Sequence, residues 1–171
     1  MSSSDLSHES FVIQSTDPAA WHELARTLTI AAEPIKRRFF EIAHVSQNTE
    51  GIRLEQLAYV RAYMLLTGLA FENLIKAIVL ARHHSLSNLP RGGHGLVAIL
   101  NSLKLDLAPV EKDFLRRLEE YVVWAGRYPV PRAAGTYITS EREGLLTFRS
   151  DDPRLSATLF EKLAAELTQS A

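Results

Sequence analysis

The chain has 171 residues and a mass of 19.1 kDa, the size of one domain, long enough to bury roughly two thirds of the surface its unfolded form exposes. Nineteen Lys and Arg against twenty Asp and Glu leave a formal net charge of -1, so any contact with nucleic acid or an anionic membrane has to be local. The absence of Cys excludes disulfides, thiolate catalysis and Cys-based zinc or iron-sulfur sites.

Residues 1–16, MSSSDLSHESFVIQST, show no basic start followed by an apolar run, so no secretory signal is expected and a cytoplasmic protein is. They read as a flexible N-terminal tail ahead of a single helical domain over 17–171. The first helix opens at Asp17-Pro18, a capping carboxylate followed by a proline whose missing N–H costs nothing at that position. Trp21, Leu24, Ala25, Leu28, Ala31 and Ile35 then recur three and four apart. Pro34 falls inside this pattern, which predicts either a kink or the start of a second helix burying Phe39, Phe40 and Ile42. Gln47 to Gly51 reads as a turn.

The strongest helical pattern runs from about Leu54 to Arg82, with Leu57, Arg61, Met64, Gly68, Phe71, Ile75 and Val79 on one face. Its apolar stretch from Ala62 to Ala81 is interrupted by Glu72, Asn73 and Lys76. A bilayer would penalise each charge by about 3 kcal/mol, so a buried helix is expected and a membrane span is not. Gly68 predicts another helix packed against its missing side chain. Glu72 and Lys76, four apart, read as an exposed ion pair; were Glu72 to face inward, Arg61, Lys76 or Arg127 would have to pair with it.

Leu89-Pro90-Arg91-Gly92-Gly93 is a break, followed by a short helix around Leu96, Ile99, Leu100 and Leu103. Pro109 suits the first turn of the next helix, with Phe114, Leu118, Tyr121, Val122 and Ala125 inward, Asp113 and Arg117 paired outside, and Gly126 as its stop. A last helix opens at Asp152-Pro153 and buries Leu155, Leu159, Leu163 and Leu167. Between them, Arg127 to Asp151 is too long a connection to lack structure or purpose. Tyr137-Ile138-Thr139 and Leu145 to Phe148 predict a small hairpin about Ser140 to Gly144, or an extended arm over a bundle. The fold class is therefore all-α: a five- or six-helix bundle with a long, partly extended connection before the last helix.

The main chemical candidate is Arg127-Tyr128-Pro129-Val130-Pro131-Arg132. Its prolines keep it extended and hold two guanidinium forks at fixed separation, suited to phosphate or carboxylate, with the Tyr128 ring as a face for a base. The structural alternative has the arginines bonding the last carbonyls of the preceding helix while Tyr128 and Val130 pack on the core. His94, just ahead of the short helix, is placed either as a general base or in a cap or surface role. His83 and His84 are adjacent and no H-x-x-x-H or H-E-x-x-H spacing occurs, so no metal site is expected. Glu119, Glu120, Glu141, Glu143, Asp151 and Asp152 read as residues of solvent faces and loop ends. No dinucleotide fingerprint, P-loop or G-x-S-x-G elbow is present, and no cofactor is expected.

The order AYMLLTGLAFENLIKAIVLARH, a break, then GGHGLVAILNSLKLDLAPVEKDFLRRLEEYVVWAGRYPVPR resembles bacterial proteins of the HEPN class (higher eukaryotes and prokaryotes nucleotide-binding) over roughly residues 55 to 132. The class consists of small helical bundles, often dimers, whose toxin-like members in toxin–antitoxin pairs are ribonucleases that need no metal. Active members carry Arg, four to six intervening residues and His on a late helix. Arg127 stands at that place, but no His follows it in the chain. Arg37 and Arg38 precede His44 at the right distances on an early helix, a match expected by chance, and no role is given to it. The resemblance thus implies a noncatalytic, regulatory relative: a homodimer presenting Arg127, Tyr128, Arg132 and His94 to an RNA, nucleotide or protein partner, with Glu72 as an internal partner for one of the arginines. The alternatives are a metal-independent endoribonuclease, and a purely structural interaction protein whose long connection clasps another subunit.

Overall fold

In a computed structural model of the chain, residues 15–43, 49–87, 89 and 94–169 are described. They form six α-helices: α1 (Pro18–Ala43), α2 (Glu50–His83), α3 (Leu96–Ser102), α4 (Pro109–Glu120), α5 (Ala134–Arg142) and α6 (Asp152–Gln169). A π-helical segment, Tyr121–Ala125, continues α4. No strand occurs among the described residues, as the all-helical reading requires. Residues 1–14 of the expected tail, the turn at Gln47 and Asn48, His44, and the Pro90 to Gly93 part of the expected break lie outside the described residues.

Local chemistry sets most boundaries. The Asp17 carboxylate accepts from the Ala19 N–H at 2.9 Å, and the Thr49 hydroxyl accepts from Ile52 at 3.3 Å. At the other end of α2, His84 adopts φ 54° and closes the helix by donating its N–H to Leu80. Of the two alternatives at Pro34, the start of a second helix does not occur: α1 is one helix containing Pro34. Pro34 and Ile30, one turn before it, are both exposed, so the hydrogen bond that proline forgoes falls on the side water reaches. The buried edge of α1 follows Ala25 and Ala32, rotated slightly from the expected stripe, which leaves Leu24 and Ala31 exposed.

Helix α2, about 51 Å long at 1.5 Å per residue, is the axis of the molecule. It lies against α1 along its length and meets α4, the π-helical segment and α6 on its other sides. Phe71 packs edge-to-face against Phe114 of α4 at 6.0 Å and Phe160 of α6 at 5.8 Å. The N-terminal third of α2 is less covered, and Leu57 and Arg61 are exposed where the periodicity predicts burial. By length and apolarity α2 could cross a bilayer, yet 72% of its apolar window is buried within the protein.

Gly68 has the neighbour its sequence context predicts: a Cβ there would lie 2.5 Å from Val122 Cγ2 and 3.1 Å from the Leu118 carbonyl oxygen. Gly126 is needed for a similar reason rather than as a left-handed stop. Its φ is -79°, while a Cβ would meet the Tyr121 carbonyl oxygen at 2.8 Å and Leu65 Cβ at 2.9 Å. Its N–H closes the π turn on Tyr121 at 3.0 Å.

The connection before α6 departs most from expectation. Tyr137-Ile138-Thr139 belong to α5 and form no hairpin. Beyond α5 the chain is fastened to its own bundle. Tyr121 Oη donates to Leu146 O at 2.9 Å, Arg117 Nη1 donates to Thr147 O at 2.9 Å, and Phe148 enters an aromatic cluster with Phe39, Phe40 and Tyr63. Residues 128–133, with two prolines and the exposed Tyr128 and Val130, lie in neither helix nor strand, as do residues 147–149.

Two expected surface residues are core residues. Arg117 is 1% exposed and forms a bidentate pair with Asp152, itself 0% exposed, at 2.5 and 2.6 Å. Asp113 does pair with Arg117, at 3.2 Å, and also receives Arg149 at 2.7 Å. A helix-surface pairing rule sees only partners three or four residues away, and Asp152 lies far along the chain.

Candidate functional site

The residues singled out from the sequence come together. His94, Arg127, Tyr128 and Arg132 line one open hollow of about 810 Å³, with Val123, Trp124, the segment from Pro129 to Pro131, Ala133 and Thr136 completing its wall. A volume of this order suits a small ligand or a short stretch of a polymer. Four segments build it, His94 coming from the residues just ahead of α3. The π-helical segment supplies Val123 and Trp124, the proline-stiffened run supplies the two arginines, and the first turn of α5 closes the far side.

The extra residue in the π turn sets the position of Trp124. Its indole Nε1 donates to Glu120 Oε2, and the same oxygen accepts from the Ser140 hydroxyl at 2.8 Å, which ties α5 to the end of α4. The Tyr137 ring lies beside the indole, 6.0 Å between centroids. The hollow's wall is thus anchored by a carboxylate that the sequence places on a solvent face.

Arg127 combines both readings given to it. One guanidinium nitrogen, Nη2, donates to the Val123 carbonyl at 2.7 Å, a helix-end contact, and its carbon stands 5.5 Å from the Tyr128 ring centroid. Tyr128 and Val130 do not pack on the core: they are 54% and 61% exposed. Arg132 is exposed on the rim and has no ion pair or hydrogen bond among the described residues.

Glu72 does not line the hollow but stands behind it. It is buried on α2, not exposed; its Oε1 accepts from Lys76 Nζ at 2.6 Å, and its Oε2 lies 2.8 Å from Nδ1 of His94. Of the three partners the sequence offered, Lys76 is the one used, because four residues along a helix bring the ammonium directly over the carboxylate. Lys76 in turn faces the Trp21 ring at 5.3 Å, so α1 covers this charge pair. His94 is joined to the bundle through Glu72 and keeps 43% of its side chain exposed.

Next to His94, the short helix α3 is held by Glu119, whose Oε1 accepts from the Val97 N–H at 2.8 Å. Burial holds the Glu119 carboxyl above its ordinary range, opposed by the hydrogen bond from Val97. Sequence reasoning missed Glu119, Glu120, Trp124 and Thr136. Trp124 stands three residues before the run that begins at Arg127, but nothing local reports that the helix there widens to a π turn.

Among the described residues no group of three or more His, Asp or Glu is arranged to hold a metal ion. His83 and His84 close helix α2 and are exposed. The chemistry on offer at the hollow is two guanidinium donors, the exposed aromatic face of Tyr128, and an imidazole backed by a buried carboxylate. No protein family, curated protein or solved structure matches the chain in comparisons against all three.

Proposed function

We propose that the chain is a noncatalytic, HEPN-like regulatory protein that binds single-stranded RNA in the hollow beside the π-helical segment. The observation that carries this reading is the gathering of His94, Arg127, Tyr128 and Arg132 on one concavity. The arginines are suited to successive phosphates, and the exposed ring of Tyr128 offers a face for a base, while Trp124 is buried and forms wall only. The apolar exposure of Val123 and Val130 beside the guanidinium groups fits a ligand that alternates charge with flat apolar surface. The molecule has no net positive charge, so binding is local, with a nucleotide as its smallest unit. The homodimer in this proposal rests on the HEPN resemblance.

Fluorescence anisotropy with a labelled ten-nucleotide RNA at two salt concentrations tests the reading. Binding that weakens with salt and drops at least tenfold in the double variant Arg127→Ala, Arg132→Ala is expected. Equal weak signals from the two proteins would remove it.

A second reading, metal-independent ribonuclease, is favoured by one contact: the buried Glu72 holds His94 on the hollow that Arg127 also lines. Incubation with RNA in EDTA should then yield fragments ending in a 2′,3′-cyclic phosphate, and His94→Ala should yield none. An intact substrate at high protein concentration rejects catalysis and leaves binding.

A further inference from the structure

The Lys76–Glu72–His94 chain determines which atom of the imidazole is available to a ligand. Glu72 is 6% exposed, and both its oxygens are occupied, Oε1 by Lys76 and Oε2 by His94 Nδ1. An ion-paired carboxylate only accepts, so the hydrogen in the contact with His94 belongs to Nδ1. Whenever the ring is neutral it is therefore the Nδ1–H tautomer, with a bare lone pair at Nε2. His94 lines the hollow with Arg127 and Arg132, and the pairing with Glu72 engages only Nδ1.

A lone pair at Nε2 offers nothing to a phosphate oxygen, which is itself an acceptor. Phosphates accordingly fall to the two arginines, and His94 requires a donor from the ligand. In a polynucleotide with a base stacked on Tyr128, the donor adjacent to every phosphate is the ribose 2′-hydroxyl. We infer that His94 Nε2 accepts from this hydroxyl and so selects RNA over DNA, with Glu72 as the positioning residue that fixes the tautomer. The inference rests on the RNA-binding reading and adds sugar selectivity to it.

The test is anisotropy with RNA, DNA and 2′-O-methyl RNA of one ten-nucleotide sequence. The protein should bind RNA about five- to tenfold more tightly than the other two, the worth of one hydrogen bond. His94→Ala, altered at a half-exposed side chain, should bind all three at the DNA level. The double variant Glu72→Leu, Lys76→Met replaces a buried carboxylate and its partly buried ammonium partner with apolar chains of similar size, which generally preserves folding. It should lose the RNA preference while keeping the affinity for DNA. Imidazole nitrogen NMR gives a readout that a purely structural role would not move: the His94 signal of the Nδ1–H tautomer in the native protein, lost in the double variant. Arg127→Ala, Arg132→Ala should weaken RNA and DNA alike and leave their ratio unchanged. Equal affinity of the native protein for the three polymers overturns sugar selectivity alone. Binding to none of them overturns the RNA-binding reading and the inference together, and an Nε2–H tautomer in the native protein overturns the role of Glu72.

Discussion

Gly68 illustrates how a residue that weakens a helix locally supports the packing around it. Glycine costs about 1 kcal/mol relative to alanine inside a helix, so Gly68→Ala would stabilise an isolated α2. In the folded protein the added methyl would stand 2.5 Å from Val122 Cγ2 and 3.1 Å from a backbone oxygen that cannot rotate away. Gly68→Ala is therefore expected to destabilise the protein by about 1–3 kcal/mol in urea unfolding. Glu119 shows a second conflict. Its folded carboxyl titrates above the ordinary value of 4.5 because burial disfavours the charge. The folded state then holds the proton more tightly than the unfolded one, so this group's contribution is fully present below pH 4.5 and is lost as pH rises through the raised value. Glu119→Gln keeps an oxygen for the Val97 N–H without a charge to bury. It should melt at higher temperature than the native protein at pH 7, with the difference vanishing near pH 4 in thermal scans.

Between elements, the decisive contact is the one joining α4 to α6. Arg117 and Asp152 meet with both forks engaged, and the same guanidinium holds the Thr147 carbonyl, so the pair fixes the end of the connection as well as the helix start. Asp152→Ala leaves a buried guanidinium without its main counter-charge and should cost about 3–5 kcal/mol in denaturant unfolding. Replacing both, Arg117→Met with Asp152→Leu, should recover most of that loss, because no charge then remains to be compensated. The connection also shows what periodicity misses. Tyr137 and Ile138 are residues that favour strands, yet they lie in α5, where the Ser140 hydroxyl bonds Glu120 and the Tyr137 ring sits beside Trp124. A helix of nine residues is marginal alone and exists here because α4 and the π-helical segment hold it.

For the molecule as a whole, a net charge of -1 coexists with a cationic hollow, and the consequence is a shallow salt dependence. Two arginines neutralising two phosphates of a single strand give a slope of about -1.4 in log affinity against log salt, so RNA binding should weaken about sevenfold between 50 and 200 mM. An anisotropy series over that range checks it, and a slope beyond about -3 would mean that cations outside the hollow take part.

The sequence by itself determined the helical architecture and most helix starts, because capping side chains, prolines and a 3.6-residue period act within a few residues of one another; Asp17-Pro18, the apolar face around Phe71 and the neighbour of Gly68 were all legible. It also marked the residues of the hollow, since Arg127 and Arg132 lie on one short stiff run. Only the tertiary structure decided that Glu72 serves His94 and Lys76, that Asp152 meets Arg117, and that the connection becomes helix α5. Those outcomes depend on partners far apart in the chain, and whether a charge is solvated or buried is fixed by which surfaces meet when the helices pack.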